Sequence, residues 1–164
     1  MPNNKLPCLE LEDGTKMGES INILRYLGAK YGYYPEDPRA AQECDEIIET
    51  GMGVFEKVAP LHFGPAENRE AGYATLENVV LPKFMAFIDA RCAKGEFLVG
   101  DKLTIADFYI GGSLYALGLG CESFFMGDEK RNAILDKYPN FKAYGERFVA
   151  ANKKFLDSNP AYPI

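Results

Sequence analysis

The residues best placed to do chemistry are the neighbours Glu19 and Ser20, which stand directly before a helical pattern. Ser20 occupies the position expected of a helix N-cap. Apolar residues recur behind it with helical spacing, namely Ile21, Ile23, Leu24 and Leu27. Unpaired N–H groups and the positive end of the helix dipole attract carboxylates at such a start. The pattern therefore favours an anion site at Ser20, and a plain cap worth about 1 kcal/mol is the alternative.

Other reactive side chains are too scattered to indicate a second centre. The four cysteines have neither metal-site spacing nor a Cys-x-x-Cys arrangement; they are Cys8, Cys44, Cys92 and Cys121. His62 is the only histidine, and no Gly-x-Ser-x-Gly segment accompanies it. We therefore expect no metal site and four reduced, mostly buried thiols.

Composition limits the classes of partner. The chain has 164 residues, a net charge of −6 and a hydrophobic fraction of 47%, which is enough for about one to one and a half domains. No basic stripe is visible, so nucleic acid is not expected as a partner. No apolar segment has the length of a membrane span, and the first residues lack a secretory core. A cytoplasmic location is the expectation.

The first part of the chain predicts a hairpin and a helix. Cys8 to Glu12 alternates apolar and charged residues as a half-buried strand does, and Asp13-Gly14 predicts a two-residue hairpin turn. A short return strand precedes a helix that starts at Ser20 and stops at Gly32. Two prolines mark residues 33–38 as a linker. We expect domains at 1–32 and 39–164.

The second part of the chain reads as all helical. Helices are expected over the ranges 39–62, 67–94 with a kink at Pro82, 105–117, 130–138 and 141–156. Thr104 and Asp107 have the spacing of a capping box. In that arrangement the Thr104 hydroxyl accepts the amide of Asp107, and the Asp107 carboxylate reaches back to the amide of Thr104.

Several motifs together resemble cytosolic glutathione transferases of the sigma and mu type. They are Leu6-Pro7, the Asp13-Gly14 turn, Glu19-Ser20, the INILRYL helix, the LPKFMAFIDARCAKGEFLVGDKLTIADF segment and Tyr138-Pro139-Asn140-Phe141. The resemblance implies an α+β, mostly helical fold. It consists of a truncated thioredoxin-like half, a hairpin plus a helix, and an all-helical C-terminal domain. The first strand, helix and strand of the family have no counterpart in these residues.

The resemblance also implies a set of ligand contacts. Pro7 would be cis, with the Leu6 backbone binding the cysteinyl part of glutathione. Ser20 would hold the γ-glutamyl carboxylate, and Glu19 the α-amino group. Arg25 would lie near a dimer axis, and an acidic residue near Glu49 would reach across it; a solvated helix face is the alternative for both. Phe124-Phe125-Met126 would border the pocket for an apolar co-substrate.

Family catalysis activates the glutathione thiol with a hydroxyl from the first strand or helix, so we assign no catalytic residue in this sequence. Two functions remain open. The first is a glutathione transferase that binds glutathione and conjugates it to apolar electrophiles, if a preceding segment is missing from the printed sequence. The second is a non-catalytic accessory or scaffold subunit of a larger assembly. The partners implied are glutathione and either a second copy in a homodimer or a heterologous protein complex.

Overall fold

Strands are few and helices dominate in this chain. A computed structural model describes residues 2–65, 67, 69–114 and 128–158, which form a two-stranded sheet and eight α-helices. The α+β, mostly helical fold expected from the sequence is confirmed. None of the helices in these ranges is both long enough and apolar enough to cross a membrane.

The sheet is an antiparallel hairpin near the start of the chain. Strand β1 spans Cys8–Glu10 and strand β2 spans Lys16–Gly18, with Cys8 opposite Gly18. Lys16 and Glu10 face each other at the other end of the ladder and form an ion pair at 3.1 Å. A short 3₁₀ turn at Pro2–Asn4 lies against the hairpin, where a Cβ on Gly18 would meet Pro2 at 3.3 Å.

The predicted two-residue turn at Asp13-Gly14 is wrong. The loop has three residues, because the Leu11 N–H donates to the Thr15 carbonyl at 2.9 Å and the Gly14 N–H donates to the Leu11 carbonyl at 2.9 Å. Gly14 has a φ of 82°, which suits the left-handed position that ends such a loop. The Asp13 carboxylate accepts from the Thr15 N–H at 2.8 Å, which lowers the pKa of Asp13.

Helix α1 spans Ser20–Tyr31, and Glu19 rather than Ser20 is its N-cap. The predicted cap position is therefore wrong by one residue. Glu19 has a φ of 67° and its carbonyl accepts from the Ile23 N–H at 2.9 Å, so Ser20 is already the first helical residue. The predicted end is confirmed: Gly32 caps the helix with a φ of 79°.

Helix α2, Pro38–Phe63, is the longest in the described chain. The Asp37 carboxylate caps it by accepting from the Ala40 N–H at 2.8 Å, and Pro38 occupies the first turn, where no N–H is needed. Residues 33–37 connect α1 to α2, and residue 38 of the predicted linker is already helical. A domain boundary at this connection stays a prediction. Gly51 lets α2 approach the next helix layer, since a Cβ there would lie 2.7 Å from the ring of Tyr109.

The helix expected over residues 67–94 is divided into three parts. Helix α3 covers Arg69–Thr75, a π-helical segment covers Leu76–Val80, and helix α4 covers Leu81–Cys92. Pro82 cannot donate to the carbonyl four residues earlier. The helix instead widens before Pro82, where the Leu81 N–H donates to the Leu76 carbonyl five residues earlier. The predicted kink at Pro82 is thus a π segment directly before the proline.

Helix α5, Ile105–Leu114, starts at a buried carboxylate. Asp107 accepts from the Thr104 N–H at 2.8 Å, as expected of a capping box. The Thr104 hydroxyl does not accept the Asp107 amide as predicted; it donates to the Asp107 carboxylate at 2.9 Å, and the amide bonds the Thr104 carbonyl at 3.0 Å. Asp107 also accepts from the Leu98 N–H at 2.9 Å and so fixes the preceding loop.

The helix boundaries in the last part of the described chain differ from the predicted ranges 130–138 and 141–156. Helix α6 spans Asp128–Leu135, helix α7 spans Pro139–Ala151 and helix α8 spans Lys153–Ser158. Pro139 begins α7 because its fixed φ suits a first turn. The Asp89 carboxylate of α4 caps α7 by accepting from the Phe141 N–H at 2.9 Å. Asn152 separates α7 from α8, and its side chain donates to the Phe148 carbonyl at 2.9 Å.

The apolar core lies among α2, α4, α5 and α7, away from the hairpin. Its fully buried members include Ile47, Ile88, Ile105, Phe141 and Tyr144. Helix α1 packs on this body through the partly buried Ile21 and Leu24, and approaches it closely at Gly28, where a Cβ would collide with the Ile105 side chain. The start of α1 therefore has an exposed side with Glu19 and Ser20, and an inner side where Ile21 packs on the helical body.

Candidate functional site

The hairpin register brings the two predicted ligand segments to the same end of the sheet. Because Cys8 pairs with Gly18, the residues just before β1 and just after β2 lie side by side. These are Leu6-Pro7 and Glu19-Ser20. The Leu6–Pro7 bond is cis, which confirms the prediction for Pro7. Leu6 is 78% exposed, so this end of the sheet is open to a ligand.

The start of α1 presents unpaired donors beside an exposed carboxylate. The first N–H groups of a helix have no partner within it. In the described structure the Glu19 side chain makes no capping hydrogen bond to them, and both Glu19 and Ser20 are exposed. The site can therefore accept a carboxylate at the N–H groups and the Ser20 hydroxyl, and an ammonium group at Glu19.

Arg25 and Glu49, predicted as possible dimer contacts, bind each other within one chain. The Arg25 Nη2 lies 3.0 Å from the Glu49 Oε1, and its Nε lies 2.9 Å from the Asp45 Oδ1. The other Asp45 oxygen accepts from the Tyr34 hydroxyl at 2.8 Å. The hydrogen bond to Asp45 raises the pKa of Arg25, and burial is the main cause of the raised pKa of Tyr34. A role for these residues in a dimer stays a prediction.

The cysteines within the described ranges are free thiols. Cys44 and Cys92 are buried and Cys8 is half-buried. Burial raises the pKa of Cys44, and it raises that of Cys92 to about 12, so neither thiol is activated. No group of three or more potential metal ligands occurs among the described residues. Cys121 and the predicted Phe124-Phe125-Met126 border of an apolar pocket lie outside the described residues.

Thr104 and Asp107 lie at the start of α5 and serve the fold rather than the ligand segments. Asp107 is completely buried, and desolvation raises its pKa although four hydrogen bonds act against this shift. The sequence reasoning missed Asp45 and Tyr34 as partners of Arg25. Arg25 and Asp45 are 20 residues apart, and the end of α1 and the connection to α2 lie between them. Helical periodicity therefore does not reveal their contact.

Comparison with known proteins identifies the family. Residues 52–157 match the family described as glutathione S-transferase, C-terminal domain. The chain is similar to human glutathione S-transferase A1, with 28% identity over 156 residues covering 93% of this chain and 65% of the relative. It is also similar to glutathione S-transferase 2 of Caenorhabditis elegans, with 30% identity over 71% of this chain and 65% of the relative.

Solved structures agree with these sequence matches. A Nu-class glutathione S-transferase from Haemonchus contortus superimposes with a TM-score of 0.81 and 26% identity, covering 100% of this chain and 78% of that one. The chain spans 65% of the length of the human and nematode relatives above. With a family model matched over most of its helical part, the chain belongs to the glutathione S-transferase family.

Proposed function

We propose that this protein binds glutathione at the end of the hairpin and the start of α1. Ser20 and the first N–H groups of α1 bind the γ-glutamyl carboxylate, and Glu19 binds the α-amino group. The backbone of Leu6, next to the cis Pro7, binds the cysteinyl part. The observation that carries the proposal is the uncapped, exposed start of α1 beside Leu6 and Pro7.

Conjugation of glutathione to apolar electrophiles is the activity we propose for the protein if a hydroxyl donor reaches the thiol. A free thiol has a pKa near 8.5, so only a small fraction is thiolate at neutral pH without such a donor. We also propose that residues 1–32 and 39–164 form separate domains, joined by 33–38. The hairpin and α1 would then bind glutathione while the helical domain holds the apolar co-substrate.

A non-catalytic accessory subunit is the second candidate, and the position of the nearby tyrosines favours it. Tyr31 ends α1, eleven residues after Ser20, which corresponds to about 16 Å along the helix axis. Tyr33 lies beyond it with its ring 5.0 Å from that of Phe108, and the Tyr34 hydroxyl is bonded to Asp45. None of these three hydroxyls is therefore suited to activate a thiol held near Ser20.

Two measurements test the proposal and separate its candidates. Calorimetric titration with glutathione should show binding to the wild type and weaker binding to Ser20→Ala. Ser158→Ala is the matched control, since the Ser158 hydroxyl donates to the Phe155 carbonyl at the C-terminal end of α8, where the dipole has the opposite sign. Equal affinity in wild type and Ser20→Ala would contradict the site.

Turnover is measured with a chlorinated aromatic as the electrophile. A rate well above the uncatalysed reaction would support the transferase and remove the accessory candidate. Binding without turnover would support the accessory candidate.

A further inference from the structure

We propose that Asp45 is a positioning residue for the glutathione site, because it anchors α1 on α2 through Arg25 and Tyr34. The inference rests on the proposed function, since its consequence is a correctly oriented helix start at Ser20. Asp45 itself lies on α2 and belongs to neither ligand segment.

Both carboxylate oxygens of Asp45 are used to hold α1. One accepts from the Arg25 Nε at 2.9 Å, in the middle of α1. The other accepts from the Tyr34 hydroxyl at 2.8 Å, just beyond the end of α1. Arg25 extends the attachment one turn further along α2, where its Nη2 donates to Glu49 at 3.0 Å. A single side chain on α2 thus fixes two points along the neighbouring segment.

The remaining attachments of α1 to the helical body are mainly apolar, and the partly buried Ile21 and Leu24 in its first half are among them. Gly28 packs closely against Ile105, and the Ile105 N–H donates to the Tyr33 carbonyl at 2.9 Å. Helix α1 has 12 residues, a length of about 18 Å. Arg25 lies between Gly28 and Ser20, so its bond to Asp45 adds a directional polar attachment in the half of α1 that carries the Ser20 end.

The ion pair between Arg25 and Asp45 is partly shielded from solvent. The side chains of Arg25 and Asp45 are 35% and 34% exposed, so solvent screens the pair only partly. A hydrogen bond between charged groups is stronger than a neutral one. Because Asp45 accepts from two donors, removing its carboxylate weakens an attachment that involves both Arg25 and Tyr34.

The first test compares Asp45→Asn with Glu46→Gln. An asparagine retains one acceptor oxygen and puts an amide donor in place of the other, so one of the two bonds is lost. Glutathione affinity should fall about fivefold in Asp45→Asn. Glu46 is the next residue of α2 but contacts Arg91 of α4 at 2.6 Å. Glu46→Gln therefore removes an equal charge and an ion pair without touching α1, and should bind glutathione as the wild type does.

Amide hydrogen exchange distinguishes positioning from a general loss of stability. In Asp45→Asn, exchange should accelerate in residues 20–27 and remain unchanged in residues 139–151 of α7. Tyr34→Phe removes one hydrogen bond and no charge, so it should change both measurements in the same direction by about twofold. This milder variant decides the question if Asp45→Asn does not fold.

Each outcome bears on a different claim. If Asp45→Asn binds glutathione as tightly as Glu46→Gln does, the positioning role is refuted while the glutathione site stands. If affinity falls with unchanged exchange in residues 20–27 and a smaller sedimenting species, Asp45 acts through assembly and the inference is also overturned. If the wild type does not bind glutathione, the proposed function itself fails and the positioning role fails with it.

Discussion

Replacing Glu19 with glycine should make the protein more stable and a poorer glutathione binder. Glu19 has a φ of 67° and a ψ of 118°, a backbone conformation that a residue with a Cβ rarely adopts. Such strain costs about 1–3 kcal/mol. Glycine removes most of that cost but loses about 0.5–1 kcal/mol more conformational entropy on folding. The expected net gain in the free energy of unfolding is therefore about 1 kcal/mol, or about 2–4 °C in Tm.

The same substitution removes the carboxylate that we assign to the α-amino group of glutathione. A hydrogen bond to a charged group contributes about 1.5–3 kcal/mol, and the exposed position of Glu19 reduces that value through screening. A loss of about 1 kcal/mol corresponds to roughly fivefold weaker binding. Stability and affinity should thus change in opposite directions at one position.

Urea unfolding followed by circular dichroism measures the first effect, and calorimetric titration with glutathione measures the second. Glu19→Ala is the control, because it removes the carboxylate and keeps the strained backbone with a Cβ. It should bind glutathione as weakly as Glu19→Gly without gaining stability. Equal unfolding free energies for the two variants would refute the strain argument, and unchanged glutathione affinity in both would refute the assignment of Glu19.

Three further predictions concern the helical body that carries the site. Asp107→Ala leaves two buried N–H groups without an acceptor and should lower the free energy of unfolding by about 3 kcal/mol. Asp101→Ala, which removes an exposed acceptor at 3.3 Å in the same loop, should cost less than about 1 kcal/mol in the same urea experiment. Gly51→Ala should destabilise through its contact with Tyr109, whereas Gly53→Ala has free space among the described residues and should stabilise α2 by about 1 kcal/mol. Because burial raises the pKa of Asp107 in the folded state, the stabilisation from its bound proton is lost as pH rises through that pKa; above about pH 4, wild-type stability should fall relative to Asp107→Asn.

Sequence patterns that lie within a single helix predicted the secondary structure well. The stop of α1 at Gly32 and the disturbance before Pro82 follow from backbone properties that a residue carries anywhere. The capping box was predicted because its members are three residues apart. Even here the detail depended on burial, since the Thr104 hydroxyl turned toward the buried Asp107 carboxylate instead of accepting the helix amide.

Side-chain contacts between different helices could not be predicted from the sequence pattern. Asp45 is one of several acidic residues in the first half of α2, and its type alone does not distinguish it from neighbours that face solvent. Its role emerges only when the fold brings Arg25 and Tyr34 to its two oxygens. Asp89, which caps α7 from α4, was missed for the same reason.

The separation of the ligand segments from the core determines what mutations can reveal. Leu6, Glu19 and Ser20 are exposed on the hairpin side, while the buried residues lie among α2, α4, α5 and α7. A change at the ligand segments therefore alters binding with little loss of packing energy, and a change in the core alters stability before it reaches the ligand. Asp45 lies between these two groups, so variants at this residue measure how far the helical body determines the geometry of the proposed glutathione site.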